Sequence, residues 1–154
     1  MKARASDPVF VEVAWSRLIA VVEQEAQALL RTAFTNIVSE SGDLSAGVFD
    51  LQGPRVAQAI TGTPRHINAM ALAVQHVLRA LPPATLVPGD VLATNDPWLA
   101  SGHLNDITVV TPVFHRSRLV GYTASTCHAM DIGGRGITVD ALDCYEEGIL
   151  LPPC

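Results

Sequence analysis

Apolar residues recur at helical spacing in two stretches of the chain and alternate or cluster in several short runs between and after them. Val9, Val13, Leu18, Val21, Val22, Ala26 and Leu29 return every three to five positions, with Glu12, Arg17, Gln24 and Glu25 between them. This predicts one helix with an apolar stripe, opened by Asp7 and Pro8 and running to about Phe34. Ile67, Met70, Ala71, Val74, Val77 and Leu78 repeat the pattern and predict a second helix over Ile67–Leu81, stopped by Pro82 and Pro83. Ser45–Phe49 and Arg55–Ile60 flank an Asp/Gly turn and read as a β-hairpin. A short strand follows at Val91–Thr94. Ile107–Phe114 and Leu119–Cys127, joined by His115 to Arg118, predict a second hairpin, with Pro112 marking an edge or a bulge because it cannot donate to a ladder. Two main helices among short hairpins imply an α+β fold with a mixed or antiparallel sheet.

The 154 residues, about half of them apolar, suit one domain or part of one. A formal charge of −5 with scattered basic residues offers no footprint for nucleic acid or anionic lipid, so neither is an expected partner. No window approaches the roughly 20 apolar residues of a membrane span, and the first residues lack a signal-peptide core; the expected location is cytoplasmic. The cysteines Cys127, Cys144 and Cys154 form no C-x-x-C pair and read as free thiols.

Candidate chemistry concentrates around the second hairpin. Regular pairing outward from Phe114 and Leu119 puts Asp106 opposite Cys127 and Asn105 opposite His128, so the open end of the hairpin gathers Asp106 and His128. His103 lies three residues before Asp106, and the Asp/Pro/Ser/Gly content of residues 96–102 favours a turn in which both side chains converge. Two imidazoles and one carboxylate with no fourth obvious ligand describe an open site suited to zinc, manganese or ferrous iron, acting on a water or a carbonyl. The plain alternative is a tight loop hydrogen-bonded by His103 and Asp106, with His128 ending a strand. His66 and His76 read as packing or surface residues. Cys127 beside His128 suggests a thiol amidase, but neighbouring strand residues face opposite sides of a sheet and cannot pair as nucleophile and base.

The segments LLRTAF (29–34), SESGDLSAGVFD (39–50), TGTPRHIN (61–68), PGDVLATNDPW (88–98), GHLNDITVVTPVF (102–114) and HAMDIGGRG (128–136) resemble, in order, the amino-terminal part of the hydantoinase B/oxoprolinase family. The resemblance implies metal ligation by His103, Asp106 and His128, with Asp96 and Asp131 as catalytic candidates that orient the imidazoles or meet substrate. Loop capping is the alternative for both acids. Where many relatives carry a second histidine after the first, this chain has Ala129. The resemblance further implies an ATP-dependent hydrolase of cyclic amides such as hydantoins or lactams. In it a hydantoinase A-type partner subunit binds ATP and activates the substrate oxygen, in a hetero-oligomer. A ketone carboxylase subunit, or a non-catalytic remnant or assembly module, are the other readings. Family members continue well beyond the EEGILLPP segment (146–153), so the chain reads as an amino-terminal fragment with apolar surface left uncovered. Gly133, Gly134 and Gly136 mark a loop where backbone approaches a ligand, or simply a turn.

Overall fold

Asp7 accepts a hydrogen bond from the Val9 amide and Pro8 takes the first helical position, so helix α1 begins where the sequence places its start, and it spans Pro8–Thr32. The computed structural model describes residues 7–136 and 138–154. Helix α1 ends at Thr32, two residues short of Phe34, because Ala33 turns to extended backbone. A one-turn helix α2, Asn36–Ser41, follows and closes on Gly42 in the left-handed region at φ 64°. Strands β1 (Leu44–Phe49) and β2 (Arg55–Gln58) form the first hairpin. Helix α3 spans Pro64–Ala80, starting three residues before the expected Ile67 because Pro64 sits in its first turn. Strands β3 (Leu92–Thr94), β4 (Asp106–His115) and β5 (Arg118–His128) follow, and a short helix α4 covers Cys144–Glu147.

The strands form one fully antiparallel sheet in the order β2-β1-β5-β4-β3. Side chains alternate between its faces. Leu44 and Ala46 of β1 pack with Val22 and Ala26 of α1, while Phe49, Val110, Tyr122 and Ala124 pack with Met70, Val74 and Val77 of α3. The sheet is thus sandwiched between the two long helices in an α+β arrangement. The amino-terminal half of α1 lacks such cover: Val9, Phe10, Val13 and Trp15 are exposed.

The β4–β5 register departs from the regular pairing. Phe114 faces Leu119, but Val113 faces Gly121, leaving Val120 as an extra residue in β5. This bulge moves every later pair by one, so Asp106 lies opposite His128 rather than opposite Cys127. Pro112 is accommodated on an interior strand because β3 pairs only with positions 108–110, leaving position 112 unpartnered on that side. Past the helices, residues 149–154 return along β3: Ala93 and Cys154 exchange backbone hydrogen bonds, and the buried Asn95 donates to the Leu104 and Ile149 carbonyls while accepting from the Leu151 amide. The glycine loop approaches its own chain, not an open ligand space. A Cβ on Gly134 would lie 2.4 Å from the Gly148 nitrogen, and the Arg135 and Gly136 amides donate to Glu146 and Glu147 carbonyls.

Candidate metal centre

Three adjacent strands deliver one residue each to the same end of the sheet. Asp43 precedes β1, Asp106 opens β4, and His128 closes β5 between them. The His128 amide donates to the Asp43 carbonyl, which extends the β1–β5 ladder to this edge. Two further elements complete the group. The turn through residues 97–105, with Gly102 at φ 89°, folds His103 back over Asp106. Helix α3 brings His66 in from its first turn, above the α3-packed face of the sheet.

Thr63 ties these pieces together. It stands at the N-cap of α3 but makes no capping bond to the helix; its hydroxyl is directed instead to the Asp43 carboxylate at 2.9 Å and the Gly42 carbonyl at 3.2 Å. A capping interaction worth about 1 kcal/mol is given up to orient a carboxylate. The N-terminal end of α3, where negative charge is favoured, sits close to both acids.

The distances define a tight cluster. Asp106 Oδ2 lies 2.9 Å from His66 Nε2 and 3.0 Å from His103 Nε2, and Asp106 Oδ1 lies 3.0 Å from His128 Nδ1. Asp43 is 3.4 Å from His66 Nε2 and 3.7 Å from His128 Nδ1. Asp106 and His66 have no exposed side-chain surface, whereas His103, His128 and Asp43 reach the boundary with solvent. Burial alone pushes the Asp106 carboxyl up, but the His103 and His66 imidazoles beside it outweigh burial and hold it well below the usual carboxylate range. Asp106 is therefore an anion at neutral pH.

The hydrogen-bond account is incomplete in a telling way. His128 and Asp106 form an aligned hydrogen bond. Among the described residues, both ring nitrogens of His66, His103 Nδ1 and Asp106 Oδ2 are sealed from solvent without an aligned partner, although His66 Nε2 and His103 Nε2 stand at hydrogen-bond distance from Oδ2. Buried polar atoms are nearly always satisfied, and imidazole and carboxylate ligand atoms gathered this closely suit a cation. The residues present fit a divalent metal. His103, Asp106 and His128 form one set whose ligand atoms all lie within 4.8 Å of one another, and Asp43, His66 and Asp106 form a second.

The bulge thus corrects the expected register but strengthens the expected constellation. Asp106 and His128, diagonal under regular pairing, are directly opposed. His66 is the larger correction: far from an ordinary packing residue, it sits inside the cluster because the earlier start of α3 carries it over the sheet end. Asp43 also escapes the sequence patterns. His76 keeps its structural role, its Nδ1 lying 3.0 Å from the Leu99 carbonyl. Asp96 and Asp131 lie beside the cluster rather than in it. Asp96 accepts from the Trp98 amide and so shapes the turn carrying His103; Asp131 accepts from the Gly133 amide. Asp131 and His128 share the wall of an open cleft of about 930 Å³, also lined by Phe34 and Thr35. His103 borders a smaller cleft of about 160 Å³ with Trp98 and Glu147. Cys127 points away, packing against the α1 layer, and its thiol is pushed up to about 11 by burial and by the charges of Asp106, Glu25 and Asp43. It is no nucleophile at neutral pH.

An antiparallel sheet between two helices, with imidazoles and carboxylates gathered at one sheet end, defines a class of α+β proteins with a candidate metal centre. The chain belongs to the hydantoinase B/oxoprolinase family, whose model matches residues 7–154. It is 35% identical over 152 residues to the 5-oxoprolinase PfmaA of Pestalotiopsis fici, covering 97% of this chain and 12% of that protein. The ATP-dependent caprolactamase of Pseudomonas jessenii superposes with a TM-score of 0.78 at 28% identity, over 96% of this chain and 26% of that one. Acetone carboxylase, described for ATP-dependent acetone carboxylation, shares the fold with a TM-score of 0.80 at 24% identity, over 97% of this chain and 20% of that one. The chain therefore spans between about a tenth and a quarter of the length of these proteins. Among the described residues, no helix is long and apolar enough to cross a membrane.

Proposed function

We propose that the chain provides the metal-bearing amino-terminal part of a subunit that opens cyclic amides, hydantoins or lactams, in an ATP-dependent reaction completed by an ATP-binding partner subunit of the hydantoinase A type. The observation that carries this reading is the convergence of His103, Asp106 and His128, whose ligand atoms all lie within 4.8 Å of one another around a carboxylate sealed from solvent. The named activities of the 5-oxoprolinase and the caprolactamase, both acting on lactams, favour hydrolysis over the carboxylation named for acetone carboxylase. A bound zinc, manganese or ferrous ion would supply Lewis acidity to polarise a carbonyl or activate a water.

The remaining steps fall to the chain itself. Asp106, an anion sealed from solvent, holds the His128 and His103 rings through its two oxygens. Because His103 and His128 reach the solvent boundary and Asp106 does not, substrate approaches from their side, where Asp131 and His128 border the larger cleft. Asp131, on the wall of that cleft, would accept from a ring N–H of a cyclic amide, and Asp96 acts as a positioning residue by fixing the turn beneath His103. ATP serves to activate the amide oxygen, since an unactivated amide is a poor electrophile.

Elemental mass spectrometry of the purified chain, beside His103→Ala, Asp106→Ala and His128→Ala variants that remain folded by circular dichroism, tests the reading. Bound metal lost in His103→Ala and His128→Ala, followed by ATP-dependent opening of a hydantoin or lactam with the partner subunit, is the expected result. A folded parent that takes up neither zinc nor manganese refutes it, and ketone carboxylation in the same assay would transfer the site to the other reaction.

A further inference from the structure

We infer that the larger cleft receives the side group of the substrate, and that Phe34 and Met130 make it select neutral cyclic amides with an apolar substituent over rings that carry a carboxylate; this rests on the cyclic-amide reading above. The cleft of about 930 Å³ is walled by the C-terminal end of α1, the connection into α2 and the segment leaving β5, and it includes His128 and Asp131. Pockets for drug-sized molecules measure about 300–1,000 Å³, so its capacity exceeds what a bare five-membered ring fills. Hydrogen bonds hold its walls. The Thr35 hydroxyl accepts from the Val38 amide and stands 3.5 Å from the His128 carbonyl, so the connection carrying Phe34 is packed against the strand end carrying His128. On the other side, the Ala129 amide donates to the Asn105 carbonyl, and the Asn105 side chain donates to the Ala129 carbonyl. These two bonds fix the backbone that leads to Met130 and Asp131.

The chemistry of the walls carries the selectivity. Phe34 is fully exposed and Met130 more than half exposed, and Leu29, Ala33 and Ile37 continue the apolar lining. A phenylalanine ring left wholly in water gains from any apolar group that covers it, and a methionine thioether adapts to the shape of what enters. Among the described residues no lysine or arginine lines the cleft, and its one carboxylate is Asp131. The remaining polar side chains apart from His128 are neutral: Thr32, Thr35 and Asn36, with the weakly polar thiol of Cys127. A substrate carboxylate entering there would leave water with no cation to meet it and would face a like charge. 5-Oxoproline is a lactam that carries such a carboxylate. Although a 5-oxoprolinase is 35% identical to this chain, the walls favour an uncharged ring with an aryl or branched alkyl substituent.

Three hydantoins that share one ring provide the test: the unsubstituted compound, the 5-benzyl derivative and the 5-carboxymethyl derivative. Each is titrated calorimetrically into the full chain loaded with Mn²⁺, and elemental mass spectrometry follows the metal. The benzyl compound is expected to bind at least about tenfold more tightly than the other two. That advantage should disappear in Phe34→Ala and shrink in Met130→Ala, and Phe34→Lys should gain binding of the carboxymethyl compound, with manganese content unchanged in all three variants. Both positions are exposed, so the variants should fold, with circular dichroism as the check. Equal or tighter binding of the carboxymethyl compound to the parent overturns the inference, as does a benzyl preference that survives both alanine substitutions; retained manganese then leaves the metal-dependent reading standing. Absence of binding by all three compounds also overturns it, and an oligomer that Phe34→Ala converts to monomer would assign the cleft to contact between copies of the chain. Benzyl-selective binding without manganese uptake upholds the cleft and overturns the metal-dependent reading instead.

Discussion

Gly62 sits where the loop entering α3 crosses β1. Its φ is 128°, and a Cβ built there would stand 2.4 Å from the Leu44 carbonyl oxygen, the same oxygen that accepts the Thr63 amide at 2.8 Å. Carbon–oxygen contacts in proteins rest at about 3.3 Å or longer, so Gly62→Ala forces the loop to retreat by about 1 Å. Two costs add. Placing a side chain at this φ costs on the order of 1–3 kcal/mol, and the retreat weakens a buried backbone hydrogen bond worth about 1 kcal/mol. We expect a loss of about 2–4 kcal/mol, read as a fall in Tm of roughly 5–15 °C for a domain of this size. The displaced loop carries Thr63 and His66, so manganese affinity should fall as well. Gly89→Ala is the control: its φ is 102°, but no described atom lies within 4 Å of the added Cβ, so it bears the backbone strain without the collision. Thermal melts of the variants beside the parent decide the matter. If Gly62→Ala loses no more stability than Gly89→Ala, the approach to Leu44 does not constrain the loop and the reasoning fails.

Glu25 gives a pH prediction of unusual sign. Burial pushes its carboxyl up to about 7, so its charged form is disfavoured in the fold. A raised carboxyl pKa destabilises above the folded value and the penalty disappears as pH falls below the unfolded value near 4.3. Glu25→Gln should therefore stabilise by about 1–2 kcal/mol at pH 8, after discounting for its partial exposure, and by nothing at pH 4, in urea melts at the two pH values. An equal effect at both would show that Glu25 is fully solvated. Cys127 should react with iodoacetamide at pH 8 far more slowly than the exposed Cys154, and Cys127→Ala should leave metal content unchanged; peptide mapping of the labelled chain reads the first and elemental analysis the second.

Much of the framework was legible because its signals are local. Asp7 and Pro8 fix the start of α1, and the apolar spacing of α3 carries its length whatever happens at its first turn. His103 and Asp106 were legible for the same reason, being three residues apart on a turn rich in Asp, Gly and Pro. Asp43 and His66 were not, since nothing in their own neighbourhoods links them to His103, Asp106 and His128 far along the chain. They meet the site through sheet order, and strand order is a long-range property that periodicity does not encode. A partial signal existed in Gly42, Asp43, Gly62 and Thr63, glycines each followed by an oxygen-bearing side chain, one closing a helix and one introducing the next. The bulge also had a marker. Gly121 interrupts a strand-like run, and an isolated strand glycine often marks a bulge or a close approach; here it is both, because a Cβ would lie 2.6 Å from the Phe49 carbonyl oxygen.

Val120 gives the β4–β5 hairpin a tolerance that the rest of the ladder lacks. It is the residue of β5 that faces no partner, so a chain without it would keep Leu119 opposite Phe114, Gly121 opposite Val113 and His128 opposite Asp106. Loss of a neighbouring residue such as Thr123 would instead turn Tyr122 out of the core on the way to the same end point. The hairpin therefore behaves as two separately phased segments, and descendants of this sequence are free to gain or lose length at that single joint while the far end keeps its alignment.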